Sequence, residues 1–249
     1  MSGRRRAGAL LLWLAIGCAP SGVDAQRDRD VRQIVTFLFQ PGRGDSAIAI
    51  YERALIPLYR QDAAMRRFRG YREAESPEPL DLVIVSSFNG MAGMDASNLA
   101  LRGLASGGRS VFQWYGVLDG LVQRHHDQFV EMRPQLGDPI AASADSVDGL
   151  TVMEYVRVAP GRRHAFERLI ATRVRGVERD LAGIRWSETG RLLVSDGWDY
   201  LRIFGTESLA SWQGRDDALR ERGVARDVDQ LVVARKTIIL RGVRALSVR

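Results

Sequence analysis

The chain is poor in the side chains that most often carry chemistry. Its 249 residues include one cysteine, Cys18, one lysine, Lys236, and three histidines, His125, His126 and His164. A single cysteine rules out an internal disulfide, a Cys-x-x-Cys motif and thiolate-based metal sites, so the folded body relies on its apolar core. There is no Gly-x-Ser-x-Gly elbow and no His-x-x-x-His pair. The glycines between Gly103 and Gly108 lack the strand–turn–helix order of a phosphate loop. Beyond the N-terminus, no apolar run is long enough to span a bilayer.

Charge of one sign is not lacking, but it is dispersed. The 36 basic residues are all arginine except Lys236, against 30 acidic residues, for a net charge of +6. The basic residues alternate with acids, as in Arg27-Asp28-Arg29-Asp30 and Arg215-Asp216-Asp217. A nucleic-acid-binding surface gathers its cations on one face or stripe. The expectation is therefore a solvated surface and no nucleic-acid partner.

The N-terminus is the one stretch with a targeting pattern. Arg4-Arg5-Arg6 precedes a 13-residue apolar run from Ala7 to Ala19, and Val23-Asp24-Ala25 offers small residues for cleavage before Gln26. That is the layout of a secretory signal over residues 1–25, and it predicts a periplasmic or secreted protein. Ala15-Ile16-Gly17-Cys18 also resembles a lipobox, with Ala15 where leucine is usual. Lipidation of Cys18 would anchor the chain in the cell envelope and is its one expected link to a membrane. The two readings leave Gln26 or Cys18 as the first mature residue.

What the rest contains is a repeat. Val35 to Arg43 and Glu154 to Arg162 are each a strand closing in Pro-Gly-Arg, 119 positions apart. Each is followed by an amphipathic helix. Ile48, Tyr51, Leu55, Leu58 and Tyr59 form one apolar stripe, and Phe166, Leu169, Ile170, Val174, Val177 and Leu181 the other. Pro57 predicts a kink near Ile56. Asp81–Phe88 recurs as Asp199–Thr206 at an offset of 118, and Val122–Met132 as Val233–Val243 at an offset of 111. The falling offset predicts an extra loop in the first half near Ser106-Gly107-Gly108. Asp196-Gly197 between apolar runs predicts a hairpin.

Each half thus reads strand, helix, strand, strand, helix, strand, the ferredoxin-like unit, over 32–133 and 150–249, with 134–149 as linker. The fold class is α+β. Two such units in tandem resemble the dimeric α/β-barrel superfamily, which includes antibiotic-biosynthesis-monooxygenase-like and NIPSNAP-like proteins; the strand-Pro-Gly-Arg-helix openings carry the resemblance. It implies two sheets packed into a barrel, here from one chain, with higher oligomers open. It also implies a ligand cavity between sheet and helices. Some relatives bind haem, so ligation by His125, His126 or His164 is open, but no spacing favours it and no cofactor is expected. The repeat pairs His125 and His126 with Lys236 and Thr237, where a helix gives way to a strand, a place that suits protonated imidazoles through the helix dipole.

For a ligand, the aromatics of the second half stand out: Tyr155, Trp186, Trp198 and Tyr200. Aromatic walls with a few polar groups make a small-molecule pocket, and Arg185 and Asn89 are candidates for the latter. The competing reading is that the aromatics fill the core. Asp199 is a candidate base or a strand-edge acid. The function expected is an exported binding protein for a small apolar or aromatic molecule. The alternatives are a non-catalytic envelope module and a cofactor-independent monooxygenase-like enzyme.

Overall fold

The computed structural model describes residues 30–138 and 149–248. The proposed signal segment, Cys18 and most of the proposed linker lie outside the described residues. Among the described residues ten strands run β1 (Asp30–Phe39), β2 (Met65–Glu75), β3 (Leu82–Asn89), β4 (Ala105–Ser106), β5 (Arg109–Ser110), β6 (Val122–Met132), β7 (Leu150–Val158), β8 (Ile184–Val194), β9 (Tyr200–Thr206) and β10 (Val232–Val248). The helices are α1 (44–59), α2 (Gly90–Arg102), α3 (Val111–Asp119), α4 (163–179), α5 (Leu209–Glu221) and α6 (Ala225–Asp229).

Eight strands close into a barrel in the order β1-β3-β2-β10-β7-β9-β8-β6, all antiparallel where they pair. Each half contributes four neighbours. The two seams, β2–β10 and β6–β8, join each half's last strand to the other half's second strand. Closure removes the sheet edges that would otherwise template aggregation.

The barrel explains why the central strands read as unbroken apolar runs. One face points into the barrel, where Ile34, Val83, Val85, Val130, Met153, Leu201, Ile203 and Leu240 pack together. The other face is covered by helices, in the first half through Tyr51, Leu55, Leu58, Phe68, Phe88 and Leu101. Strands buried on both faces lose the polar alternation of a one-sided sheet. Every residue of Leu82–Phe88 is buried.

The Pro-Gly turns lie where the repeat puts them. Gly42 and Gly161 adopt φ of +74° and +75°, a left-handed conformation that favours glycine. The Arg43 and Arg162 amides donate to Gln40 and Ala159 at 2.9 and 3.0 Å. Asp81 and Asp199 perform one task in both halves. Asp81 accepts from the Phe39 amide at 2.7 Å, and Asp199 from the Val158 amide at 2.8 Å. Asp199 is also paired with Arg163, so this acid clamps a strand end.

Both α1 and α4 contain a π-helical turn, Tyr51–Leu55 and Ile170–Val174, at the repeat offset. Pro57 follows the first, but Gly176 stands at the equivalent place in the second. The widened turn therefore belongs to the repeat and not to the proline. The extra loop of the first half is the β4–β5 hairpin, whose Gly107 and Gly108 both have positive φ.

One alignment needs correction. Phe37 faces His125 across the sheet, and Val156 faces Arg235. The structural counterparts of His125 and His126 are therefore Arg235 and Lys236, one place earlier than sequence matching gives. Both ladders carry the same irregularity, between Leu38 and Phe39 in one half and between Val232 and Ala234 in the other, so the structural offset is 110 on either side of it. Nor do the two histidines end a helix: α3 stops at Asp119 and both lie within β6.

A glycine sits at each seam. A Cβ on Gly70 would lie 2.6 Å from the Leu246 side chain, and one on Gly190 would lie 2.3 Å from Val130 and 3.1 Å from the Glu131 carbonyl oxygen. Gly190→Val is expected to cost about 1–3 kcal/mol through overpacking, read as a lower urea midpoint with an unchanged slope.

Candidate functional site: a cavity in one half, a charge network in the other

Between the first-half sheet and its helices lies a cavity of about 340 Å³. Volumes of roughly 300–1,000 Å³ are usual for small-molecule pockets. Sheet residues Val35, Phe37, Ile84, Ser86 and Phe88 form one wall; Tyr51 and Tyr59 of α1, Ser97 and Leu101 of α2, and Tyr115 and Leu118 of α3 form the others. The Tyr59 and Tyr115 hydroxyls lie 2.9 Å apart. Burial pushes the Tyr51, Tyr59 and Tyr115 phenols up, with neighbouring phenols or carboxylates adding to the effect for each. They stay neutral and act as hydrogen-bond donors, not bases.

At the rim, Gln33 Nε2 donates to Asp127 Oδ1 at 2.8 Å, and His125 Nε2 lies 3.6 Å from Asp127 Oδ2. The His125 and Asp127 side chains are 50% and 37% exposed, within reach of both solvent and a bound molecule. In a chain with 35 arginines, no arginine or lysine lines this cavity, while Asp119 and Asp127 do. An anion would find no countercharge there.

The same layer of the second half is filled. Glu154 of β7, Glu178 of α4, Arg202 of β9 and Arg215 of α5 meet there, each at most 5% exposed. Glu178 accepts from Arg202 Nη2 and from Arg215 Nε, both at 2.7 Å. Glu154 Oε2 lies 3.5 Å from both guanidinium groups, and Arg202 and Arg215 also stack on Phe204. The set is electrically neutral. Burial opposes the charge on Arg215, but Glu154 and Glu178 outweigh it and hold the guanidinium above its ordinary value. Burial likewise opposes the Glu154 carboxylate, and Arg215 and Arg202 together hold it below the usual range.

The repeat turns these facts into one. Glu154 and Arg202 are opposite each other in β7–β9, as Val35 and Ile84 are in β1–β3. Glu178 is 119 positions after Tyr59, and Arg215 is 118 after Ser97. Val35, Tyr59, Ile84 and Ser97 all line the cavity. Four uncharged positions that leave a space in one half are thus four charged positions that close it in the other.

The six residues singled out by sequence fall in different places. Tyr155 and Trp198 meet at one mouth of the barrel, ring centroids 6.1 Å apart, lining a separate cavity of about 360 Å³. Trp186 packs against the barrel interior, over Gly205, where a Cβ would lie 2.0 Å from its Nε1. Arg185 is exposed, its Nε 3.6 Å from Glu207. Asn89 is exposed and immediately precedes α2. Tyr200 belongs to the second-half layer and donates to Glu167 at 2.8 Å. What sequence reading missed was the first-half aromatic set, which looked like ordinary core.

No family model matches the chain, and no curated protein matches it. Solved structures do. A proposed monooxygenase from Lactobacillus acidophilus NCFM superimposes with a TM-score of 0.63 at 9% identity, over 86% of this chain and 94% of that one. One from Fusobacterium nucleatum gives 0.64 at 9% identity, over 87% and 93%. A proposed chlorite dismutase, TA0507, gives 0.59 at 12% identity, over 87% and 96%. The chain has the dimeric α/β-barrel fold. Both barrel halves come from one polypeptide.

The dimeric α/β-barrel resemblance left haem open, and the residues do not suit it. His164 is exposed at the start of α4, and His126 turns to the barrel mouth, 3.3 Å from Asp196. Only His125 reaches the first-half cavity, at its rim, and no cation there could pair with propionates. In the second half the equivalent layer is closed by the charge network.

Proposed function

We propose that this barrel protein binds one small, uncharged, aromatic or apolar molecule in the first-half cavity, under a canopy of tyrosine hydroxyls. The observation that carries the reading is the contrast between the halves: the four positions that plug one layer leave the other open. The occupant's polar group would be an acceptor for the Tyr59–Tyr115 hydroxyl pair, and its rings would lie against Phe37, Phe68 and Phe88. The N-terminal signal pattern supports placing this activity outside the cytoplasm.

The test uses 1-naphthol and the full chain in calorimetry. Binding is expected at one molecule per chain, weakened at least about tenfold by Ile84→Trp, which fills the cavity. Absence of binding, or binding indifferent to Ile84→Trp, would favour the non-catalytic envelope module instead.

A second reading rests on the rim. Gln33 orients Asp127, which stands beside His125, and none of the three recurs in the second half, where Val152, Thr237 and Arg235 take their places. An imidazole steadied by a carboxylate can remove a proton from an acidic carbon. The resulting carbanion can reduce dioxygen without a cofactor. A methylene flanked by aryl rings that conjugate it to a ketone would become a carbonyl, one oxygen atom entering the product and the other leaving as water. His125→Gln should abolish oxygen uptake with anthrone while 1-naphthol still binds; unchanged uptake sinks this reading.

A further inference from the structure

The barrel mouth has a chemistry unlike that of the side cavity. Its floor is inward-facing: Gln128, Tyr155 and Ile238. Gln128 is 5% exposed and accepts from Tyr155 Oη at 2.7 Å. The walls carry Trp198, over which Arg157 stacks, and four basic side chains, Lys236, Arg124, His125 and His126. This is where the chain's sole lysine points.

One carboxylate already occupies the position an incoming anion would take. Glu78 Oε2 lies 2.9 Å from Lys236 Nζ. It comes from the exposed Pro77-Glu78-Pro79 segment, and its side chain is 61% exposed while that of Lys236 is 21% exposed. The base is thus fixed on a strand and largely enclosed, whereas the acid is a visitor from a surface loop. A hydrogen bond from Lys236 and its charge hold the Glu78 carboxyl below the usual range, with Arg124 and His126 adding to the effect against a small burial cost. The mouth is positive where Glu78 enters it. Asp196, the other acid there, is 79% exposed, 3.3 Å from His126.

We propose that the barrel mouth is a second ligand site, taking a small aromatic carboxylate whose ring lies against Tyr155 and Trp198 and whose carboxylate replaces that of Glu78 on Lys236. The site goes beyond the side cavity and does not depend on it. The side cavity has no cation and takes a neutral molecule; the mouth has an enclosed ammonium and takes an anion. Lysine suits the position because a compact ammonium can exchange one carboxylate for another at a single point, while a planar guanidinium would prefer a fixed two-point pair. Glu78 then acts as a tethered competitor that keeps the mouth neutral when the ligand is absent.

The experiment is calorimetry of the full chain with 1-naphthoate, and with 1-naphthamide as the neutral analogue. Naphthoate should bind at the mouth, Lys236→Met should weaken it about tenfold or more, and Glu78→Gln should tighten it by removing the competitor. The amide should bind far more weakly and be indifferent to both changes. Because Lys236 is the only lysine, reductive methylation reports on one ε-amine, and naphthoate should protect it. The proposal is overturned if naphthoate does not bind, if Glu78→Gln leaves its affinity unchanged or weakens it, or if Ile84→Trp in the side cavity removes the binding instead. Should Lys236→Met fail to fold, the Glu78→Gln and protection results decide.

Discussion

Arg215→Met will destabilise this protein by about 3–5 kcal/mol, the usual result of removing one partner from a buried charge set. The substitution leaves Glu178 with one guanidinium and Glu154 with a single distant one, both far from water. At constant volume the loss is electrostatic, since methionine fills much of the arginine stem's space. A fall in urea midpoint measures it. Replacing all four members at once by apolar side chains of similar length (Glu154→Leu, Glu178→Met, Arg202→Met, Arg215→Met) should recover most of that loss, because no orphaned charge remains and the layer stays filled. A quadruple variant as unstable as the single one would show that the network does more than fill the layer. The wild-type network also has an acid limit. The Glu154 carboxyl is held below its unfolded value, so its contribution is fully present above the ordinary carboxylate range. It is lost as pH falls through the depressed folded value.

The converse substitution should close the first-half cavity. Placing Val35→Glu, Tyr59→Glu, Ile84→Arg and Ser97→Arg in the first half copies the second-half network onto the same backbone. Binding of 1-naphthol should fall by about a hundredfold or more, and the far-ultraviolet circular dichroism should keep its wild-type shape. Naphthoate binding at the barrel mouth should persist, since none of the four positions lines it. Retained naphthol affinity in a folded variant would mean that the cavity does not hold the ligand.

Much of the architecture was legible because it is written twice. The Pro-Gly turns at Gly42 and Gly161, the clamping acids Asp81 and Asp199, and the apolar stripes of α1 and α4 each carry a local physical signal, and the offset of about 119 ties them together. The site was harder to read. Tyr155, Trp186 and Trp198 attract notice as aromatics, but a cavity is made by what is small or uncharged, and Val35, Ile84 and Ser97 announce nothing alone. Glu154 and Arg202 pass for solvated charges until both are seen buried in one layer. The usable signal was a comparison: Arg202 interrupts the apolar run Tyr200–Phe204 at the place where Ile84 continues it in the first half. The alignment of β10 with β6 was harder, because their apolar residues match at an offset of 111 while the ladders set 110, so that Arg235, not Lys236, faces Val156 as His125 faces Phe37.

The two seams have a further consequence. A barrel assembled from separate chains dissociates on dilution, and each of its subunits must carry the same pocket. Here β2–β10 and β6–β8 join parts of one molecule, so the partner strand is held at a fixed effective concentration however dilute the solution. Covalent linkage also frees the halves from identity: a residue changed in one is not changed in the other. One half could become scaffold while the other kept its vacancy, so a molecule that fills the side cavity should saturate at one per barrel instead of two.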